Sequence, residues 1–342
     1  MQDDLLTDAA EALLRDRCTP EAVRAIEAGG DITTLWKALE DAGFADALVP
    51  EAQGGAGLSL PEVFGLWASA GAHALPLPLG TTMLARALLA RAGHASPAGP
   101  IALAEASPDG EGGLRCASVA AARVAAQVLV QAADGWHLLP VRTATLSDAA
   151  FVLDAGLHWS AGAMADAPRL ALEAPTGIDA RTLLAIQAAA HLAGGLMIVF
   201  TRTLAHANER QQFGRPIGKF QAIQHQLAVM SEQVFAARMA AQLGCAAAGP
   251  WPDRLRVAVA KARCSQAALA VAEAGHAIHG AIGFTAEFDL QLHTRRLHAW
   301  RQCGGAESYW WDVAGAALIN GGAHTTLDWL RTLTDPTVSQ PA

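Results

Sequence analysis

Beyond about residue 175 the chain repeats apolar side chains at helical spacing for most of its remaining length, and no other feature restricts its fold as much. Leu192, Leu196, Val199, Phe200 and Leu204 follow an i, i+3, i+4 pattern, and Leu227, Met230, Val234 and Phe235 repeat it on a second stretch. Pro250-Trp251-Pro252-Asp253 interrupts before a third. Long helices joined by short breaks bury their apolar stripes against one another, so the spacing predicts an antiparallel four-helix bundle. The alanine-rich runs 185–199 and 257–274 are broken by Gln, His, Lys, Arg or Glu, so neither reads as a membrane span.

The rest of the chain divides by period. Residues 1–98 place Leu5, Ala9 and Leu13, then Ile26, Leu35 and Leu39, at helix-like intervals, which predicts an N-terminal helical domain. Inside it, Pro50 and the glycines of Gly54-Gly55-Ala56-Gly57 require a turn, Ser59-Leu60-Pro61-Glu62 opens another helix, and Leu75-Pro76-Leu77-Pro78-Leu79 makes a second break. Over 99–174 the period shortens. Ile101-Ala102-Leu103-Ala104, Ala126-Gln127-Val128-Leu129-Val130, Gly135-Trp136-His137-Leu138-Leu139-Pro140-Val141 and Ala150-Phe151-Val152-Leu153 are β-prone pieces between turn residues, which predicts a small, reduced antiparallel barrel. The bundle takes 175–335 and a tail takes 336–342, so the expected class is α+β, mainly α.

With 52% hydrophobic and 16% charged residues, the chain has enough apolar surface for a substantial core. A formal net charge of -8 and the lack of Lys/Arg clusters exclude a nucleic-acid partner, because neutralising phosphates needs a concentrated basic face. The start, Met1-Gln2-Asp3-Asp4, has no basic segment followed by an apolar one, so no secretory signal is expected. Cys18, Cys116, Cys245, Cys264 and Cys303 lie far apart without C-x-x-C spacing, which favours reduced thiols and a cytoplasmic location.

The run from Glu209 to Ala228 joins an apolar helix to a polar loop that a core would not demand. Arg210 offers a planar fork of donors suited to phosphate oxygens, Phe213 a flat face for stacking, and Gln221 an amide at the start of the next helix, where free backbone N–H groups favour an anion. Together they match a dinucleotide-like ligand. Taken alone, Arg210-x-x-Phe213-Gly214 also describes a solvated basic loop with an incidental Phe. The longer run, through Phe220-Gln221 to Leu227-Ala228, resembles the FAD signature of the acyl-CoA dehydrogenases. The resemblance implies a helix-loop-helix corner that receives the FAD diphosphate and adenine of a neighbouring subunit.

A second segment, Ala277 to Phe288, resembles the family's Q-x-x-G-G-x-G-[FY]-x-x-E-[FY] motif, with Ala277 at the Gln position, Ala281 replacing a Gly, and Gly280, Gly283, Phe284 and Glu287 retained. The resemblance implies that Gly280 contacts the ADP portion of FAD. Counted onward without gaps, the family's general base, a Glu, falls on Gly304, and the alternative base position falls near Leu184. Neither can take a proton. Glu307 is the nearest carboxylate and the weak candidate for a relocated base; a solvated Glu at the start of the last helix is the other reading. The family's flavin-ring loop, T-E-P-x-x-G-S-D, has only Ala104-Glu105-Ala106-Ser107-Pro108-Asp109-Gly110 as its counterpart.

His293-Thr294-Arg295-Arg296-Leu297-His298-Ala299-Trp300-Arg301 resembles a short branch of the family that works as paired unlike subunits on bulky or alicyclic acyl-CoA esters, including steroid fragments. Surface or interface charge is the alternative for Arg295 and Arg296. The resemblance implies an acyl-CoA substrate, FAD, a homologous subunit or a self-oligomer, and electron-transfer flavoprotein as acceptor. It points to an α,β-desaturase of lipid or steroid degradation assembled as a heterotetramer. A self-sufficient homo-oligomer, or a non-catalytic acyl-CoA-binding protein on the same fold, stays open beside it.

Overall fold

This computed structural model describes residues 2–165, 167, 169–172, 178–247, 251–321 and 325–334. The N-terminal part is helical: α1 (Gln2–Arg17), α2 (Pro20–Glu27), α3 (Thr33–Asp41), α4 (Leu60–Ala72) and α5 (Leu79–Arg91). Ser59 and Glu62 close a capping box on α4, with the Ser59 N–H donating to Glu62 Oε2 at 2.7 Å, so the helix starts where the sequence places it. Pro76 and Pro78 hold α4 and α5 apart.

The middle part carries β1 (Ile101–Glu105), β2 (Ser107–Pro108), β3 (Leu114–Val119), β4 (Gln127–Ala132), β5 (Gly135–Pro140), β6 (Thr145–Asp148), β7 (Ala155–Trp159), α6 (Ala161–Ala165) and β8 (Arg169–Leu170). One sheet runs β1-β4-β5-β8 and another β2-β3-β7-β6. Two expectations need correcting. The β1–β4 pair is parallel, so the strands are not uniformly antiparallel. The apolar run Ala150–Leu153 is a turn, with the Asp154 N–H bonded to the Phe151 carbonyl at 3.0 Å; Leu153 is buried and Phe151 packs against the core as plugs rather than ladder residues. The strands there are β6 and β7. Alternation along β1 sets the layers: Ile101 and Leu103 join the large core shared with the helices, while Ala102 and Ala104 face the core between the sheets.

The C-terminal part comprises α7 (Ala180–Glu209), the short strands β9 (Gln211–Gln212) and β10 (Arg215–Pro216), α8 (Gln221–Cys245), α9 (Arg254–His279), α10 (Leu290–Gln302), α11 (Glu307–Asn320) and α12 (Thr326–Thr334). The expected boundary at 174–175 and the tail 336–342 lie outside the described residues. Helix α7 is long and apolar enough to cross a membrane by length and composition, yet 83% of its most apolar window is buried inside the protein. It is the central core helix, packed against α4, α8, α9 and α10. Helix α4 crosses it at backbone contact. A Cβ on Gly194 would lie 1.8 Å from the Ala68 carbonyl oxygen, which is why glycine stands at the crossing. Arg296 is not the surface charge considered from sequence, being 1% exposed, whereas Arg295 beside it is exposed. All five cysteines are free.

Candidate functional site

The loop after α7 is a two-residue hairpin. Gln212 pairs with Arg215 and Gln211 with Pro216, and the Ile217 N–H closes the base by donating to the Arg210 carbonyl at 2.8 Å. The turn residues Phe213 (φ 49°) and Gly214 (φ 76°) both have positive φ, the geometry of a type I′ turn. Glycine takes it freely, whereas phenylalanine is strained there. The strained ring is displayed, with Phe213 92% exposed and only its neighbour Phe220 at 6.2 Å, edge to face. The Arg215 guanidinium lies 4.2 Å over the Phe220 ring. Arg210 and Gln221 are exposed on the same corner, and no side chain caps the α8 N-terminus. Gly280 (φ 66°) ends α9 next to His279, whose ring stacks on His206 at 4.3 Å, one turn before Arg210. Thus Arg210, Phe213, Gln221 and Gly280 lie toward one end of the bundle. Gly280 borders a separate hollow of about 700 Å³ that also includes Glu273, His276 and Phe284.

A cleft of about 1000 Å³ opens elsewhere, between loops of the β layer and the walls of α7, α10 and the start of α11. Gly304 (φ 67°) lines it, and a Cβ there would lie 2.6 Å from the Ala185 N and 2.9 Å from the Leu184 carbonyl carbon. The two positions at which a base is expected therefore meet, and helix backbone fills the place of a carboxylate. The loop is clamped from behind. Buried Lys261 donates to the Arg301 carbonyl at 2.7 Å, the Gly305 carbonyl at 2.8 Å and Ser265 Oγ at 3.0 Å, and burial pulls its amine down to about 8.

Other carboxylates are differently placed. Glu307 is paired with Arg301 in the first turn of α11 and is not among the cleft walls. Burial works against its charge, but the Arg301 bond, a backbone hydrogen bond and the Arg301 and Lys261 charges together outweigh that, so its carboxyl sits below the usual range. Asp179 caps α7, accepting from the Thr182 N–H at 2.7 Å, and pairs with Arg254. Glu105 lines the cleft but is held by Arg181 at 2.7 Å, whose guanidinium also lies 4.7 Å over the Tyr309 ring. Asp154 remains. It lines the cleft, accepts from the Ala121 N–H at 2.9 Å, and burial raises its carboxyl to about 6.

Residues 180–319 match the family described as the acyl-CoA dehydrogenase C-terminal domain. Acyl-CoA dehydrogenase IpdE2 of Mycolicibacterium smegmatis is 31% identical over 311 residues, covering 88% of this chain and 94% of the relative. The chain belongs to the acyl-CoA dehydrogenase family. IpdE2 of Mycobacterium tuberculosis is 30% identical over 302 residues, covering 86% of this chain and 90% of the relative. Among solved structures, the Tcur3481-Tcur3483 steroid ACAD superposes with TM-score 0.79 and 26% identity, covering 93% of this chain and 98% of that one. The ChsE4-ChsE5 complex from Mycobacterium tuberculosis superposes with TM-score 0.81 and 20% identity over 94% of this chain and 98% of that one, a likeness of fold. As a member of this family, the chain is an oxidoreductase acting on acyl-CoA.

A glutaryl-CoA dehydrogenase from Mycobacterium smegmatis in complex with FADH2 and an FAD complex of PigA share the fold. The corner fits the ADP end of FAD: a guanidinium fork, a displayed aromatic face and an uncapped helix N-terminus converge there. The cleft does not offer the flavin ring the expected hydroxyl-bearing loop. Ala104 stands where that loop has its Thr, and the Glu105 carboxylate beside it is tied to Arg181. Sequence reasoning missed Asp154, a lone Asp after an apolar run, whose place in the cleft depends entirely on the turn the run makes.

Proposed function

We propose that this chain is one subunit of an FAD-dependent acyl-CoA α,β-dehydrogenase whose homologous partner chain carries the catalytic carboxylate. The observation that carries the reading is the backbone contact of Gly304 with Leu184 and Ala185, which leaves no room for a base at position 304, while an apolar leucine stands at the other expected position. This chain's part is to present Arg210, Phe213, Gln221 and Gly280 to the ADP portion of an FAD shared with the partner. Bound FAD would supply the acceptor for the β-hydrogen, which leaves as hydride while the partner's carboxylate takes the α-proton. Apolar side chains left on the bundle surface, including Phe235, Met239 and Ile319, support an extensive subunit contact. The likeness to a steroid ACAD and to the ChsE4-ChsE5 complex favours a bulky alicyclic acyl-CoA and a heterotetramer. Electron-transfer flavoprotein as acceptor and a cytoplasmic location complete the proposal.

Purified colour tests it. Flavin absorbance that appears only on co-expression with a neighbouring homologue is the expected result. Stoichiometric flavin and turnover from this chain alone would overturn it.

A further inference from the structure

The inner end of the cleft leads to a recess of about 60 Å³. Ala120, Phe151, Asp154, Ala299 and Cys303 line both spaces, so the recess is the cleft's inward extension. Its walls are mostly apolar, from the Leu75–Leu77 break, Leu153 and Trp300, yet polar groups of opposite kinds meet in it. Asp154 presents a carboxylate whose described hydrogen bond comes from the Ala121 N–H alone, and at neutral pH it is largely ionised although burial lifts it to about 6. Arg296 also lines the recess. Its Nη1 is spent on Glu27 at 2.7 Å and the Leu292 carbonyl at 3.1 Å, its guanidinium lies 5.3 Å from the Phe151 ring centre, and its buried Nη2 has no hydrogen-bond partner. Asp154 and Arg296 make no ion pair with each other among the described residues. Gln187 and His191 are occupied with each other at 2.8 Å.

Asp154, an acceptor with spare capacity, and Arg296, whose buried Nη2 lacks a partner, thus line one small space at the end of an acyl-sized cleft. The charges choose among possible occupants. A carboxylate would meet the Asp154 anion, an ammonium would meet Arg296, and a methyl would leave both polar groups without partners. A hydroxyl donates to one and accepts from the other. We infer that this chain's cleft binds the CoA thioester of a hydroxyl-bearing alicyclic acid, with the hydroxyl seated between Asp154 and Arg296. The thioester class rests on the proposed function; the hydroxyl rests on the recess. Because the cleft has no base at position 304 or 184, this is a binding site of the chain itself and does not require turnover in it.

The test is calorimetric titration of the purified full chain with 3-cyclohexylpropanoyl-CoA and 3-(4-hydroxycyclohexyl)propanoyl-CoA. The hydroxylated thioester should bind about tenfold to a hundredfold more tightly, the range of a hydrogen bond to a charged group in a buried site. Asp154→Leu should abolish that preference, and Asp154→Asn, which keeps the volume and the bond to Ala121, should leave only a small part of it. Equal affinities in the unmodified chain, or no binding of either thioester, overturn the inference. The wild-type comparison decides even if Asp154→Leu fails to fold. Failure here is separate from failure of the proposed function, which shows as flavin colour and turnover in the chain alone.

Discussion

Replacing Phe213 by asparagine should make the protein more stable and its hold on FAD weaker. The residue sits at φ 49° in the first position of a type I′ turn, followed by Gly214 at φ 76°. A side chain with a Cβ costs about 1–2 kcal/mol in the left-handed region, and asparagine relieves much of it because its short polar chain bonds locally. Against this stands the edge-to-face contact with Phe220 at 6.2 Å. An aromatic pair is worth about 0.5–1.5 kcal/mol, and with the Phe213 ring 92% exposed the lower figure applies. Phe213→Asn should therefore stabilise by roughly 0.5–1.5 kcal/mol. With about 2.1 cal/mol/K of unfolding entropy per residue, that raises the melting temperature of a 342-residue chain by roughly 1–2 °C. Scanning calorimetry and urea denaturation read the first effect. Flavin absorbance after dialysis of the co-expressed complex reads the second, and loss of the stacking face should weaken retention about threefold to tenfold. A variant that is less stable than the parent, or one that keeps its flavin unchanged, refutes the reasoning that strain is held here to display a ring.

Arg210→Ala should lower FAD retention about tenfold or more in the same complex while the helical circular-dichroism signal stays intact, since a charge-assisted bond is worth about 1.5–3 kcal/mol. Gly304→Glu should not create an active chain; it should lower the melting temperature, because its Cβ meets the Ala185 N at 2.6 Å and its φ of 67° disfavours any side chain. Glu307→Gln should leave turnover of the complex within a few-fold in stopped-flow flavin bleaching, whereas loss of a true base costs about a hundredfold. Acid should destabilise the chain steeply. Burial depresses His191 and His293 from 6.5 to about 3, so both stay neutral in the fold, and their contribution, complete above pH 6.5, is lost as pH falls toward 3. The loss is about 1.4 kcal/mol per pH unit for each, opposed below about pH 6 by the raised carboxyl of Asp154, and urea midpoints at pH 7 and pH 5 measure it.

The helices were legible because their period is long and repeated. Leu192, Leu196 and Val199 are buried as their spacing requires, and Ser59-x-x-Glu62 marks the start of α4. Strands were legible where β-prone apolar residues run together beside a turn, as in β4 and β5, and not where the composition is mixed. Leu114–Val119 and Ala155–Trp159 carry Arg, Cys, Ser, Gly or His within a few residues, and their pairing is set by partner strands distant in sequence. Phe235 fits the helical stripe yet is half exposed, because the face it occupies is left uncovered among the described residues. For the candidate site, the corner was legible as a motif, and the conformation of Phe213 was not, since nothing local asks an aromatic to take positive φ. The burial of Arg296 beside Glu27 depends on α10 meeting α2, a contact no spacing announces.

The Lys261 ammonium, with all three of its protons engaged, has a mechanical consequence for the cleft. It grips two carbonyls on either side of Gly304 while α7 presses on the glycine from the front, so the bundle wall is held from both directions. The opposite wall is held differently, for the Phe151–Asp154 turn is tied to the β layer by the Ala121 N–H on the Asp154 carboxylate and by the Arg123 N–H and Nε–H on the Leu153 and Asp154 carbonyls. In this cleft the helical wall is an anvil braced on both faces, and the β wall is a separate piece tied to its own layer.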